Sequence, residues 1–213
     1  MTLSIMNKRF LSKKVQWITA IFITHLMFIV TCLDVLAHNP HDPVLGLGIS
    51  PNFVNDKTLF VATYGELTDW SYPDIMRSTN GGLTWTRLPN GMDNRGKFSS
   101  IRVSPNFSSD NTVFVTTLGT GPGVYKSTNN GVNWIQASLP ACQFSGYIVA
   151  VNENNVYASH DCGTYISTDY GITWSTSTAT FGVTTFAFNP NYVFAGLNGS
   201  LDFGVYRSSD NGI

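Results

Sequence analysis

Ser167-Thr168-Asp169-Tyr170-Gly171-Ile172-Thr173-Trp174 is the stretch that decides the fold, because the chain repeats it. Two earlier copies read Ser78-Thr79-Asn80-Gly81-Gly82-Leu83-Thr84-Trp85 and Ser127-Thr128-Asn129-Asn130-Gly131-Val132-Asn133-Trp134. A fourth begins Ser208-Ser209-Asp210-Asn211-Gly212-Ile213. The leading serines stand 49, 40 and 41 residues apart, a period that suits one blade of a repeat protein. Each position has a physical task. Asp or Asn at the third place accepts hydrogen bonds from the turn amides ahead of it. Gly at the fifth takes a positive φ without steric cost. Trp at the eighth opens the next strand and offers a large ring for burial. The octapeptide is therefore read as a hairpin staple.

The same strands recur around each copy. An apolar strand comes first, at Val44–Ile49, Ser100–Val103, Tyr147–Val151 and Thr185–Phe188. The first two run into Ser-Pro-Asn-Phe, at 50–53 and 104–107. A second strand carries an aromatic: Phe60, Phe114, Tyr157 or Phe194. A third ends on the serine of the octapeptide, and the Trp opens a fourth. Four antiparallel strands per repeat make the blade of an all-β propeller. Blades are expected at about 44–90, 98–139, 146–178 and 183–213, about four in all, forming an incomplete ring. The fourth copy stops before its Trp position, so an open arc with unpaired edges, prone to association, is expected.

These residues resemble the Asp-box, or bacterial neuraminidase repeat, propellers, and the resemblance covers about residues 44 to 213. That superfamily includes sialidases, xyloglucanases, sortilin-type receptor ectodomains and photosystem II assembly factors. The resemblance implies a fold and leaves the activity open. It also implies that ligands bind on the face opposite the boxes, so Ser78, Asn80, Gly82, Trp85, Ser127, Asn129, Gly131, Trp134, Ser167, Asp169, Gly171, Trp174, Ser208, Asp210 and Gly212 are read as scaffold.

Function is sought where the repeat breaks. The loop after the second strand of blade 1 holds Glu66, Asp69, Trp70 and Tyr72, and Glu66 is one of two glutamates in the chain. Aromatics beside carboxylates suit sugar stacking and hydroxyl recognition; a solvated loop whose Trp covers an apolar edge is the plainer reading. Arg102 stands where the other inner strands have Gly48, Ala150 and Ala187, and can bind a carboxylate or pair with one of the next blade. Asp93 and Arg95 in the first connection between blades, His160 and Asp161 in the third blade's B–C loop, and Asp202 in the fourth complete the candidates. Arg77, Lys126 and Arg207 recur at one repeat position and read as an exposed strand face.

A sialidase would need an arginine cluster, and the Arg-Ile-Pro signature is absent. A xyloglucanase-like hydrolase would need two flanking carboxylates, for which Glu66 or Asp69 with Asp202 are candidates. The preferred expectation is a non-catalytic binding or assembly module for protein or glycan; the alternative is a sialidase- or xyloglucanase-like glycoside hydrolase whose catalytic set lies partly in further blades. No cofactor is expected. An amino-terminal copper site at His38, His41 and Asp42 lacks a third ligand of usable spacing, so no metal is expected either.

Lys8, Arg9, Lys13 and Lys14 precede an apolar run from Trp17 to Leu33, followed by Val35-Leu36-Ala37. That order reads as a signal peptide over residues 1–37, with an uncleaved anchor second and a lipoprotein at Cys32 third. Residues 38–43 are then a short tail. Each reading puts the propeller outside the cytoplasm, with the membrane touched only through an uncleaved segment. Cys142 and Cys162 flank a hairpin and are expected to form a disulfide, free buried thiols being the alternative. Setting aside Lys8, Arg9, Lys13, Lys14 and Asp34 leaves eight basic against twelve acidic residues, a poor match for nucleic acid.

Overall fold

The computed structural model describes residues 43–63, 74–88, 97–118, 122–139, 148–153, 155–160, 163–177, 183–198 and 203–212. All lie in the unit Asn39–Ile213. Glu66, Asp69, Trp70, Tyr72, Asp93, Arg95, Asp161, Asp202 and the Cys142–Cys162 pair fall outside the described residues.

Fifteen strands form four antiparallel sheets among these residues. Blade 1 is β1 (Val44–Ile49), β2 (Leu59–Thr63), β3 (Ile75–Ser78) and β4 (Thr86–Arg87). Blade 2 is β5 (Lys97–Val103), β6 (Val113–Leu118), β7 (Gly123–Ser127) and β8 (Ile135–Gln136). Blade 3 is β9 (Ile148–Val151), β10 (Val156–His160), β11 (Gly163–Ser167) and β12 (Ser175–Thr176). Blade 4 contributes β13 (Val183–Asn189), β14 (Tyr192–Asn198) and β15 (Phe203–Ser208). Each strand pairs with its neighbour in sequence, as hairpin connections dictate. His160 therefore sits on strand β10, paired with Gly163, and not in the B–C loop where the sequence put it.

The boxes fold as their chemistry requires, with one role the sequence reading left unassigned. The leading serine does the central work. Its Oγ accepts the amide of the fifth-position glycine, at 2.8 Å for Ser78–Gly82 and 2.9 Å for Ser127–Gly131. It donates in turn to the third residue, at 2.9 Å for Asn80 and 2.7 Å for Asp169. That acceptor then takes the amide four residues on, from Thr84, Asn133 or Thr173. The left-handed turn also spans two residues rather than one. Asn130, Tyr170 and Asn211 have φ of 60°, 62° and 62°, each followed by a glycine with φ of 81° to 86°.

The Ser-Pro-Asn-Phe segments conceal a second staple. Ser50 Oγ donates to Asp56 Oδ2 at 2.6 Å, and Asp56 Oδ1 takes the Thr58 amide at 2.8 Å. Ser104, Asp110 and Thr112 repeat this at 2.6 and 2.8 Å. Between them a helical turn, Phe53–Asp56 or Phe107–Asp110, closes on a left-handed Lys57 or Asn111. Serine six residues before Asp and eight before Thr was the visible signal in both copies.

Blades stack through their flat faces. β1 packs on β5, β5 on β9 and β9 on β13, which makes these the inner strands. Between blades 1 and 2 the core holds Phe60, Ile75, Ile101, Phe107 and Val113, with Phe60 edge-on to Phe107 at 5.6 Å. Full burial of a ring such as Phe60 contributes about 1.5–3 kcal/mol. Glycine matters here for approach: a Cβ on Gly48 would lie 2.8 Å from Val103 Cγ2, so β1 and β5 close in only because the side chain is missing. Among the described residues no helix is long and apolar enough to cross a membrane.

Candidate functional site

Arg102 pairs with Phe114 on β6, as Gly48 pairs with Phe60, Ala150 with Tyr157 and Ala187 with Phe194. The register confirms that a long cation occupies a position otherwise held by Gly or Ala. The Arg102 side chain borders a cleft against the inner strands of the next two blades. It lines this cleft, of about 120 Å³, with Val149, Ala150, Val151, Thr184, Phe186 and Phe188. Its Nη1 donates to the carbonyl of Ile101 at 2.8 Å. Desolvation lowers its pKa, although the side chain as a whole stays substantially exposed. Among the described residues no ion pair joins it to a carboxylate.

The walls of the cleft are aromatic on one side. Phe186 and Phe188 lie parallel at 6.4 Å, and both pack on Tyr157, at 5.4 and 5.1 Å. The Tyr157 phenol is pushed above its ordinary pKa by that burial. Among the described residues the guanidinium has one acceptor, the Ile101 carbonyl, and beside apolar rings and threonine hydroxyls it can hold a carboxylate bidentately while the rings take the attached carbon skeleton. Arg102 stands one residue from the end of β5 that leads into the Ser104 turn, on the side of the sheet where the boxes lie.

The other described candidate is built differently. His160 is 4% exposed and stacks on Tyr165 with centroids 5.4 Å apart. The enclosed ring packs within the blade. Arg77 and Lys126 are not an exposed strand face. Both are half-buried and bond to the following blade, Arg77 Nη1 to the Asn130 carbonyl at 3.1 Å and Lys126 Nζ to the Tyr170 carbonyl at 2.6 Å. Each carbonyl belongs to the fourth residue of a box, so the boxes also fasten one blade to the next. Tyr170 adds an edge-on contact with Phe114 at 5.7 Å and a hydrogen bond with Ser104. A second hollow on this side, lined by Asn106, Asp110, Glu153 and Asp169, is wide open. Among the described residues no group of three or more His, Cys, Asp or Glu could hold a metal ion.

The stacked four-stranded blades and their repeated staples define this region as β-propeller blades carrying Asp boxes. The BNR/Asp-box repeat family model matches residues 165–176. The fold resembles that of the GH74 enzyme of Niastella koreensis, with a TM-score of 0.58 and 19% identity over 80% of this chain and 29% of that one. It resembles the GH74 xyloglucanase of Xanthomonas campestris, with a TM-score of 0.58 and 15% identity over 78% of this chain and 29% of that one. YCF48 bound to D1 peptide is similar with a TM-score of 0.52 and 15% identity, over 79% of this chain and 52% of that one. The chain thus spans under a third of the length of these two GH74 proteins and about half that of YCF48. No curated protein matches it in sequence.

Proposed function

We propose that this chain is a non-catalytic binding module for an acidic peptide segment or an acidic glycan, held at the Arg102 cleft. The observation that carries the reading is a guanidinium on an inner strand, without a carboxylate partner among the described residues, set beside Phe186 and Phe188. A guanidinium at the edge of a cleft can take a carboxylate through two parallel hydrogen bonds, and that geometry favours a carboxylate-bearing guest. That YCF48 is a propeller with a bound peptide supports the use of such a fold for peptide capture.

The test uses the full chain against acidic and neutral peptide sets and against an array of neutral and carboxylated oligosaccharides. Retention of carboxylated members is expected. Arg102→Gln should weaken it about tenfold or more, the cost of one charge-assisted contact. Binding that ignores Arg102→Gln would refute the site.

The second reading, a glycoside hydrolase, is supported by the fold shared with GH74 proteins. Under it the full-length protein, with any further blades, cleaves xyloglucan or a sialoside, and Glu66→Gln or Asp69→Asn abolishes turnover. The basic-then-apolar order of residues 8–33 supports export under either reading. Fractionation of cells carrying a tagged chain tests that part.

A further inference from the structure

The junction between blades 2 and 3 differs from its neighbours at one position of the repeat. Leu88, Ala137 and Ser177 are equivalent: each amide donates back to the third strand of its own blade, at the carbonyls of Ile75, Val124 and Thr164. Leu88 is 5% exposed and fills the space between blade 1 and the box of blade 2, its Cδ1 2.7 Å from where a Cβ on Gly131 would stand. Ser177 bonds across its junction instead, donating from Oγ to the Gly212 carbonyl at 2.5 Å. Ala137 is too short for either. At its junction lies a hollow of about 540 Å³, bounded by Ala137, the Lys126 side chain, Ile135, Gly171 and Ile172. That volume falls within the roughly 300–1,000 Å³ of ligand pockets.

The rim of the hollow is apolar and open. Ile135 and Ile172 are 77% and 71% exposed. Thr86 and Ser175, which share the register of Ile135 in blades 1 and 3, are polar, so an isoleucine here is particular to this junction. The one cation in the lining, Lys126, is held by the Tyr170 carbonyl, and no lining residue is acidic. The other polar groups are the neutral amides of Asn129, Asn133 and Gln136 and the hydroxyls of Thr128 and Ser138. Side-chain amides both donate and accept, which matches the peptide groups of an uncharged guest.

A sheet edge adjoins the hollow. Among the described residues β8 ends its sheet and pairs with β7 alone. The Ala137 amide points inward to Val124, so the alternation of an antiparallel strand turns the amide and carbonyl of Gln136 outward. An extended chain can pair with such an edge and set one side chain into a neighbouring pocket.

We infer that the hollow between blades 2 and 3 binds an uncharged, extended peptide segment of a partner protein through one leucine-sized aliphatic side chain. The molecule itself shows what fits, since one blade earlier the equivalent space is filled by Leu88. The guest's backbone pairs with Gln136, its aliphatic side chain enters between Ile135 and Ile172, and Asn129 and Asn133 take the flanking peptide groups. That side chain extends the packed interface of blades 2 and 3, in which Ala137 and Trp174 already join Phe114 and Val149. The hollow shares no residue with the Arg102 cleft, so it stands apart from the binding reading above.

Methyl NMR of the full chain labelled at isoleucine tests this. The probe is a capped pentapeptide of four threonines around a central leucine, with a serine-centred peptide as control. Saturable shifts of the Ile135 and Ile172 methyls are expected with the leucine peptide and none with the control. Ala137→Leu fills the hollow as Leu88 does its counterpart, and should weaken binding about tenfold or more. Ile135→Thr, which places the residue of blade 1 at an exposed position, should weaken it several-fold, read at Ile172, with an unchanged circular dichroism spectrum. No shift with the leucine peptide, equal shifts with the control, or full binding by Ile135→Thr would each overturn the inference. So would capped leucine alone binding as tightly, which makes the hollow a small-molecule site, or methyl shifts that follow protein concentration without peptide, which point to a second copy.

Discussion

Lys126 in blade 2 donates from Nζ to the carbonyl of Tyr170 in blade 3 over 2.6 Å, and the same Nζ lies 5.2 Å from the centre of the Tyr170 ring. One side chain thus holds both ends of a residue that the box has turned left-handed. Burial lowers the pKa of this lysine, and the nearby Asp110 and Asp169 oppose that shift. Lys126→Met keeps most of the apolar stem and removes the donor. It is expected to cost about 1 kcal/mol, because the contact is charge-assisted but partly open to solvent. A lower urea midpoint at unchanged slope would confirm this; an unchanged midpoint would show the latch to be idle.

Ser127→Ala tests the centre of the staple. Ser127 is 1% exposed, and its loss leaves the buried Gly131 amide without its acceptor at 2.9 Å. An unsatisfied buried donor costs about 1–3 kcal/mol. The drop should exceed that for the surface change Thr128→Ala, which touches none of these bonds.

Asp169 responds to acid. Hydrogen bonds from the Thr173 hydroxyl and amide, and from Ser167, hold its carboxyl well below the usual carboxylate range. Its folded pKa is depressed, so its contribution is present above the unfolded value of about 4 and is lost as pH falls below it towards the folded pKa. Asn80 and Asn129 make the equivalent bonds without a charge. Asp169→Asn should therefore fold normally and flatten the stability-against-pH curve below about pH 4. A curve that keeps the parent's slope would remove Asp169 from the acid transition.

Tyr170 responds to alkali. Desolvation raises its phenol to about 12. A raised folded pKa contributes stability that is complete below the unfolded value of about 10 and disappears as pH climbs through the folded one. Tyr170→Phe should lose the Ser104 hydrogen bond yet show a shallower loss of stability between about pH 10 and 12. Tyrosinate absorbance during the titration checks it directly, since one phenol should disappear from the last part of the curve.

The blades were legible in the sequence because each is held by short-range chemistry. Ser, Asp or Asn, and Gly within five residues specify the box, and the apolar runs on either side specify its strands. The alignment of Arg102 with Gly48, Ala150 and Ala187 was equally readable and survives in the register. What failed was the reading of faces. Arg77 and Lys126 recur with a period and carry charge, which looks like solvent exposure in one dimension. His160 follows a strand and precedes Asp161 and Cys162, which looks like a loop.

By itself the sequence determined the repeat, the four-stranded blade and the local staples, whose partners lie two to four residues apart. Only the tertiary structure decided how blades are fastened. The contacts that do so join residues 44, 53 and 66 positions apart: Lys126 with Tyr170, Arg77 with Asn130, Ser104 with Tyr170. A local turn is fixed by the side chains that compose it. A junction between blades exists only after two sheets have folded and stacked, and no spacing along the chain records which carbonyl a cation will then meet.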